Sequence, residues 1–248
     1  MSNFPDLYTE REKYILSQVL AGKSQFDVKK ISIVYNDHDI DLFVFCQPLR
    51  IDDIIINCSA STQQNIADFL GFSLITEKIA DLIWRKADFE LEPNVRQITN
   101  STKAMIEHSD KIDKQLAGYD TKGKLVANGG KHWVIGNKAT SAKAINYGWF
   151  VKTNTNSWKG IRVYPPASNL TLKVIQPAST HHNLLHVDYS QTCTLVSQSC
   201  KLDGEDANLY DLMKNADLAK AISHEGVLNN VRQPGVPQEH FGISIIAS

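Results

Sequence analysis

The residues best suited to chemistry in this chain crowd into one stretch, His181-His182-Asn183-Leu184-Leu185-His186-Val187-Asp188-Tyr189-Ser190-Gln191. Three of the eight histidines lie within six residues there, and a carboxylate and a hydroxyl follow directly. A carboxylate beside an imidazole fixes its tautomer and raises its proton affinity, which suits a general base. A hydroxyl within reach of that base can act as a nucleophile. If residues 187–197 form a strand, His186, Asp188, Ser190 and Thr192 share one face, while Val187, Tyr189, Cys193 and Leu195 turn to the core. Alternate positions on a strand stand about 7 Å apart, too far for a direct hydrogen bond between Ser190 and His186. Any dyad must therefore pair His186 or Asp188 with a residue from elsewhere, foremost His182, His132 or His108. The same residues would also suit a half-exposed strand with ordinary polar side chains.

A metal centre is the sharpest version of this cluster. His182 and His186 are spaced like two ligands on one helical turn, with Asp188 as a third, a set that would hold zinc. Pro177 upstream and the β-like run from Val187 leave little room for that helix, and neither an HExxH motif nor a cysteine pair supports it.

Other candidates are more dispersed. Glu107-His108-Ser109 lies in a predicted helix and could aim His108 at a cleft. Lys131-His132-Trp133 follows Gly129-Gly130 and opens a strand, where His132 could line a pocket or be satisfied by backbone carbonyls. In Asn146-Tyr147-Gly148-Trp149, a glycine between aromatics marks close approach of another backbone or a ligand. With Trp133 and Trp158, this segment could form a stacking platform for sugars. Trp149 suits core packing, and Tyr147, with its hydroxyl, is the better functional candidate. His38, His224 and His240 sit in turn or tail contexts and receive no role. No GxGxxG, GxxxxGK[ST] or GxSxG pattern occurs.

These residues need elements to position them. The spacing predicts a helix over residues 7–21 and then two β-rich runs flanking Asn36-Asp37-His38-Asp39, good hairpin chemistry. A third strand is expected around 53–58. A helix capped by Ser61 or Thr62 should run to Leu70 and stop at Gly71, and Thr76 should cap another over EKIADLIWRKA. FELEPNVRQITN reads as a loop or edge strand, and residues 101–117 as a further helix. From Lys131 onward short β-like runs dominate: HWVIG, AINYGWFV, GIRVYP, LTLKVIQP and HVDYSQTCTLVSQSCKL. Two short helices, 208–215 and 216–223, precede the tail RQPGVPQEHFG. The expected fold class is α+β: N-terminal helices with a small antiparallel sheet, then short strands forming a small barrel or sandwich. The best boundary is the linker YDTKGKLVANGGK, yet one continuous domain over 1–248 is favoured, α-rich over 1–118, β-rich over 131–204 and helical over 205–248.

Composition excludes several functions. With 26 basic against 27 acidic residues and no basic run, the chain offers no electrostatic case for nucleic acid. No stretch approaches 18 consecutive apolar residues, so no membrane span is expected. The N-terminus mixes charges into an amphipathic helix and does not read as a signal peptide. Four cysteines without CxxC spacing suit reduced thiols in a cytoplasmic product.

The succession ADLIWR (80–85), MIEHS (105–109), KHWV (131–134), NYGW (146–149), HNLLHVDYSQ (182–191) and SHEGVL (223–228) resembles an uncharacterised family of bacterial and phage-encoded proteins. Some of its members are associated with secretion or with peptidoglycan-binding modules. The motif H-N-x-x-[H/Y]-x-D-Y-S is the most specific part, and the resemblance spans most of the chain. It implies an envelope context and candidate positions at His108, Lys131, His132, Asn146, Tyr147, His182, Asp188, Tyr189 and Ser190. The chain departs from envelope-directed members in showing no signal peptide and no wall-binding module, so delivery by phage lysis or an injection machine is the expectation.

Together these readings favour a hydrolase that cleaves an amide or peptide bond in peptidoglycan or another envelope polymer. His182 with Asp188 would form its acid/base centre, alongside Ser190, with His132 and His108 orienting or ligating. Lys131, Asn146, Tyr147 and Tyr189 would contact substrate. Two alternatives stand beside it: a non-catalytic structural or cargo component of a phage particle or contractile injection system, and a polysaccharide lyase using Tyr147 and a histidine.

Overall fold

The hairpin predicted from Asn36-Asp37 forms as expected in a computed structural model, which describes residues 3–153 and 171–238. Strands β2 (Val28–Tyr35) and β3 (His38–Phe45) pair along their whole length. Both turn residues are left-handed, Asn36 at φ 50° and Asp37 at φ 64°, the geometry of the tight turn that matches strand twist. Before it come helix α1 (Tyr8–Leu20) and strand β1 (Ser24–Gln25). After it, β4 (Arg50–Ile51) and β5 (Ile54–Ile55) join β1 in a small antiparallel sheet. The strand expected around 53–58 shrinks to two residues.

Capping chemistry explains most helix limits. Helix α2 (Ala60–Leu70) is capped by Ser59, two residues before Ser61 and three before Thr62, because Ser59 accepts the Thr62 N–H. Gly71, at φ 73°, closes it. Thr76 and Ser101 cap α3 (Glu77–Arg85) and α4 (Thr102–Leu116) by accepting the N–H groups of Ile79 and Ala104. Between α2 and α3 lies a strand without an obvious sequence signal, β6 (Phe72–Thr76).

The remaining elements are β7 (Phe89–Glu90), β8 (Val126–Ala127), β9 (Lys131–Ile135), β10 (Ile145–Thr153), β11 (Thr171–Ser179), β12 (Leu195–Ser197), β13 (Ser199–Leu202), β14 (Glu205–Asn208), α5 (Leu209–Lys214) and α6 (Ala219–Ile222). Among the described residues nine strands make the main sheet, in the order β11-β10-β9-β6-β12-β3-β13-β14 with β2 added on β3. Its described pairs are antiparallel except β6 with β9. The described residues are 27% helix and 30% strand, so the fold is α+β.

Two expectations change. The described strands of the C-terminal half close no barrel among the described residues; they lie in one open sheet, where β3 and β6 from the N-terminal half stand between them. The strand expected over 187–197 contracts to β12, because the Asp188 carboxylate accepts the Ser190 N–H at 2.8 Å and folds the chain into an Asx-turn. GIRVYP, Trp158, His240 and the tail beyond residue 238 lie outside the described residues. The main core joins Ile15 and Val19 of α1, Leu42 and Val44 of β3, Leu74 of β6, Val134 of β9 and Leu195 of β12. No helix among the described residues is long and apolar enough to cross a membrane.

Candidate functional site

Strands β9 and β10 sort the predicted site residues onto two faces of the sheet. Side chains alternate along a strand, and directly opposed residues share a face. Asn146 opposes Trp133, and Tyr147 opposes His132. Lys131, Trp133 and Asn146 therefore occupy one face and His132 and Tyr147 the other.

The first face is built around Asp188. The Lys131 ammonium lies 2.7 Å from its Oδ2, with both side chains buried, at 9% and 1% exposure. Oδ1 accepts from the Ser190 N–H at 2.8 Å and the Ser190 hydroxyl at 2.6 Å. A backbone bond joins the same segments, Lys131 N–H to Ser190 O at 2.7 Å, while the Gln191 side-chain oxygen accepts the Asp188 N–H at 2.7 Å and the Asn57 side-chain amide donates to Asp188 O. Close approach explains Gly130, where a Cβ would stand 2.6 Å from Ser190 O and closer still to the Thr192 hydroxyl. Burial pushes the Asp188 carboxyl up, but Lys131 and the Ser190 bonds outweigh it and hold the group below the usual carboxylate range.

His182 and His186 stand beside this pair, at the half-exposed edge of the face. Their rings stack, centroids 3.8 Å apart and 12° from parallel, and both meet the Trp133 indole edge-on. Burial, reinforced by His186 and by Lys131, lowers His182 to about 4. His186 is lowered as well, chiefly by burial, so both imidazoles are neutral at pH 7.

The expected His182–Asp188 pair is therefore not formed: both Asp188 oxygens bond to Lys131 and Ser190. Ser190 spends its hydroxyl on Asp188 and is no nucleophile in this geometry. The zinc set also fails, since stacked rings do not converge on a point and Asp188 faces Lys131. Among the described residues no group of three or more His, Cys, Asp and Glu could hold a metal ion.

The other candidates lie apart. His108 is a satisfied core histidine: its Nε2–H donates to Gly129 O at 2.9 Å and its Nδ1 accepts from the Asn94 amide at 2.9 Å. Burial lowers it to about 4. His132 turns into an apolar pocket with Phe45, Ile83, Phe150 and Thr194, and burial alone lowers it to about 4. Tyr147 is buried and donates to Asp81 Oδ1 at 2.6 Å, on the opposite side of the sheet from Lys131. Tyr189 is buried too. Its hydroxyl accepts the Arg96 N–H at 2.8 Å and donates to Asn94 O at 3.0 Å, while the Arg96 guanidinium covers its ring at 4.5 Å. Neither tyrosine is placed to touch substrate.

Two features escaped the sequence reading. Asp81 carries both Tyr147 and His224, a histidine given no role. The first face also holds a set of buried polar atoms without hydrogen-bond partners: both amide atoms of Asn146, the indole N–H of Trp149 and Nε2 of His186. Buried polar atoms in folded proteins are normally paired, so these four depart from the usual pattern. Set against family models, curated proteins and solved structures, the chain matches none of them.

Proposed function

We propose that this chain hydrolyses an amide or peptide bond of the bacterial cell wall at the face formed by Lys131, Asn146, His182, His186 and Asp188. The observation that carries the reaction class is the neutral His182–His186 pair beside a buried ammonium. A neutral imidazole can take a proton from an attacking water, and the Lys131 ammonium beside it is a donor suited to the oxygen that gains charge. Asp188 acts here by fixing Lys131, in place of the expected direct contact with histidine. The choice of polymer rests on the resemblance carried by HNLLHVDYSQ.

Purified protein incubated with peptidoglycan sacculi should release soluble muropeptides, and His182→Ala should abolish the release. No release from sacculi, with or without added divalent metal, sinks the proposal. One observation favours a second reading, a structural component of a phage particle or injection machine. Asp188, Tyr189 and Ser190 are all spent on internal bonds, so the motif also works as a clasp between chain segments. In that case His182→Ala leaves particle assembly intact. The lyase reading needs a Tyr147 hydroxyl free to move a proton, and that hydroxyl is committed to Asp81.

A further inference from the structure

The β2–β3 ladder and the small sheet of β1 and β4 are built from the same two chain segments, which part between the two sheets. The Cys46 N–H donates to Asp27 O at 2.8 Å, and Gln25 pairs with Arg50. One residue, Phe26, spans that interval on the first segment, against Gln47, Pro48 and Leu49 on the second. The surplus residues cannot continue the ladder, so the segments spread as they do at a β-bulge. A surface cleft of about 170 Å³ opens there, with Gln25, Phe26, Asp27, Gln47, Pro48 and Arg50 in its walls.

Its frame is fixed and its polar ends are only partly used. Phe26 is half-buried, stacked on Phe45 with ring centroids 4.4 Å apart and edge-on to Phe72. Pro48 is buried against Gly129, where a Cβ would stand 2.8 Å from the prolyl ring. The half-buried Gln47 carboxamide makes no hydrogen bond among the described residues. Gln25 Oε1 accepts the Asp53 N–H at 3.1 Å and Asp27 Oδ2 accepts the Gly123 N–H at 3.2 Å, which leaves the Gln25 amide nitrogen and Asp27 Oδ1 for a ligand.

Charge narrows the class of that ligand. Arg50 is held by Asp113 at 2.6 Å, and Lys29, the other cation near Cys46, by Asp88. An anion would therefore find no unmatched cation among these residues and would meet the Asp27 carboxylate. A neutral ring with an apolar face and a hydroxylated rim fits better. Each hydroxyl both donates and accepts, and two carboxamides with a carboxylate supply both kinds of partner, while C–H groups of the ring face Phe26 and Pro48.

We propose that this cleft binds a single neutral sugar ring. Gln25, Gln47 and Asp27 hold its hydroxyl groups, and the volume admits one ring. The sugar class rests on the cleft alone; that the sugar is N-acetylated, as in a wall glycan, rests on the cell-wall reading above.

The probes are N-acetylglucosamine, adenosine and inorganic phosphate, each titrated into 15N-labelled protein. The side-chain amide signals of Gln25 and Gln47, assigned by their loss in Gln25→Leu and Gln47→Leu, report on the cleft. N-acetylglucosamine should shift both signals saturably, and Gln47→Leu should weaken its binding about tenfold, read from the Gln25 signal. The melting temperature of Gln47→Leu should stay within about 2 °C of the native protein, because that carboxamide serves no internal bond. No shift with the sugar overturns the proposal, as does a shift that Gln47→Leu and Asp27→Asn both leave unchanged. Tighter binding of phosphate or adenosine assigns the cleft to an anion or a flat base and overturns it equally. Sugar binding without muropeptide release would sink the hydrolase and leave the cleft standing; release without sugar binding would do the reverse.

Discussion

The ion pair between Lys131 and Asp188 can be tested as the clasp of this face. Lys131 opens β9, and Asp188 lies 57 residues away in the Asx-turn, so their contact joins two otherwise separate segments. The carboxylate has three donors: the ammonium, and the N–H and hydroxyl of Ser190. Asp188→Asn keeps the shape and an oxygen for Ser190 but turns an amide N–H toward the ammonium, leaving a buried charge unpaired. Lys131→Met leaves the opposite charge with the two Ser190 bonds. Removing one partner of a buried pair costs about 3–5 kcal/mol, with Asp188→Asn expected at the upper end because nothing else neutralises Lys131. For a chain of this size that corresponds to a melting temperature lower by roughly 6–20 °C. The double variant Lys131→Met/Asp188→Leu removes both charges. It should cost less than the two single changes together, with a coupling of about 2 kcal/mol or more in a urea double-mutant cycle. Asp188 sits below its ordinary range in the fold, so its contribution is present at neutral pH and lost as pH falls below about 4. Single variants costing under about 1 kcal/mol, as exposed pairs do, or a strictly additive cycle, would refute the reasoning.

Other consequences are equally concrete. His108 and His132 are buried and hold out against protonation to about 4, whereas an unfolded histidine titrates near 6.5. Their stabilising contribution is complete above about pH 6.5 and shrinks as pH falls toward 4, by about 1.4 kcal/mol per pH unit for each. Urea midpoints should therefore drop between pH 7 and pH 5, and a flat profile would contradict the burial of these rings. His132→Phe removes an unpaired buried Nδ1 from an apolar pocket, so it should leave stability at pH 7 unchanged or higher and flatten that acid limb; a loss above about 2 kcal/mol would show that the nitrogen is bonded. Tyr189→Phe removes the hydroxyl that holds the loop at Asn94 and Arg96, at a cost of about 1–3 kcal/mol, and should speed proteolysis within residues 92–100. Gly130→Ala should destabilise by about 1–3 kcal/mol or more, since its methyl group would overlap Thr192 and Ser190; a neutral result would mean that β9 and the turn are free to separate.

What the sequence revealed divides along a physical line between local and distant information. Thr76, Ser101, Gly71 and Asn36-Asp37 act through atoms a few residues away, and helices, caps and hairpin follow their signals. β6 has no such signal: four of its five residues are buried, so it lacks the alternation of a half-exposed strand and is flanked by two helices that mask it. The motif shows the limit most clearly. Read as a strand, Asp188 and Ser190 form a row of polar groups open to a cleft; as an Asx-turn they bond to each other, a choice that Asp-x-Ser chemistry favours and β-propensity conceals. The hydrogen-bond partners of the candidate residues are remote. Lys131 for Asp188, Gly129 for His108 and Asp81 for both Tyr147 and His224 are brought together only by sheet order. Because β9 and β10 alternate, neighbouring residues in KHWV and NYGW serve opposite faces, so a cluster in sequence becomes two groups in space. Preserving the chemistry of one face therefore means matching alternate residues, Lys131 with Trp133 and Asn146, because the register of β9 and β10 sets them side by side.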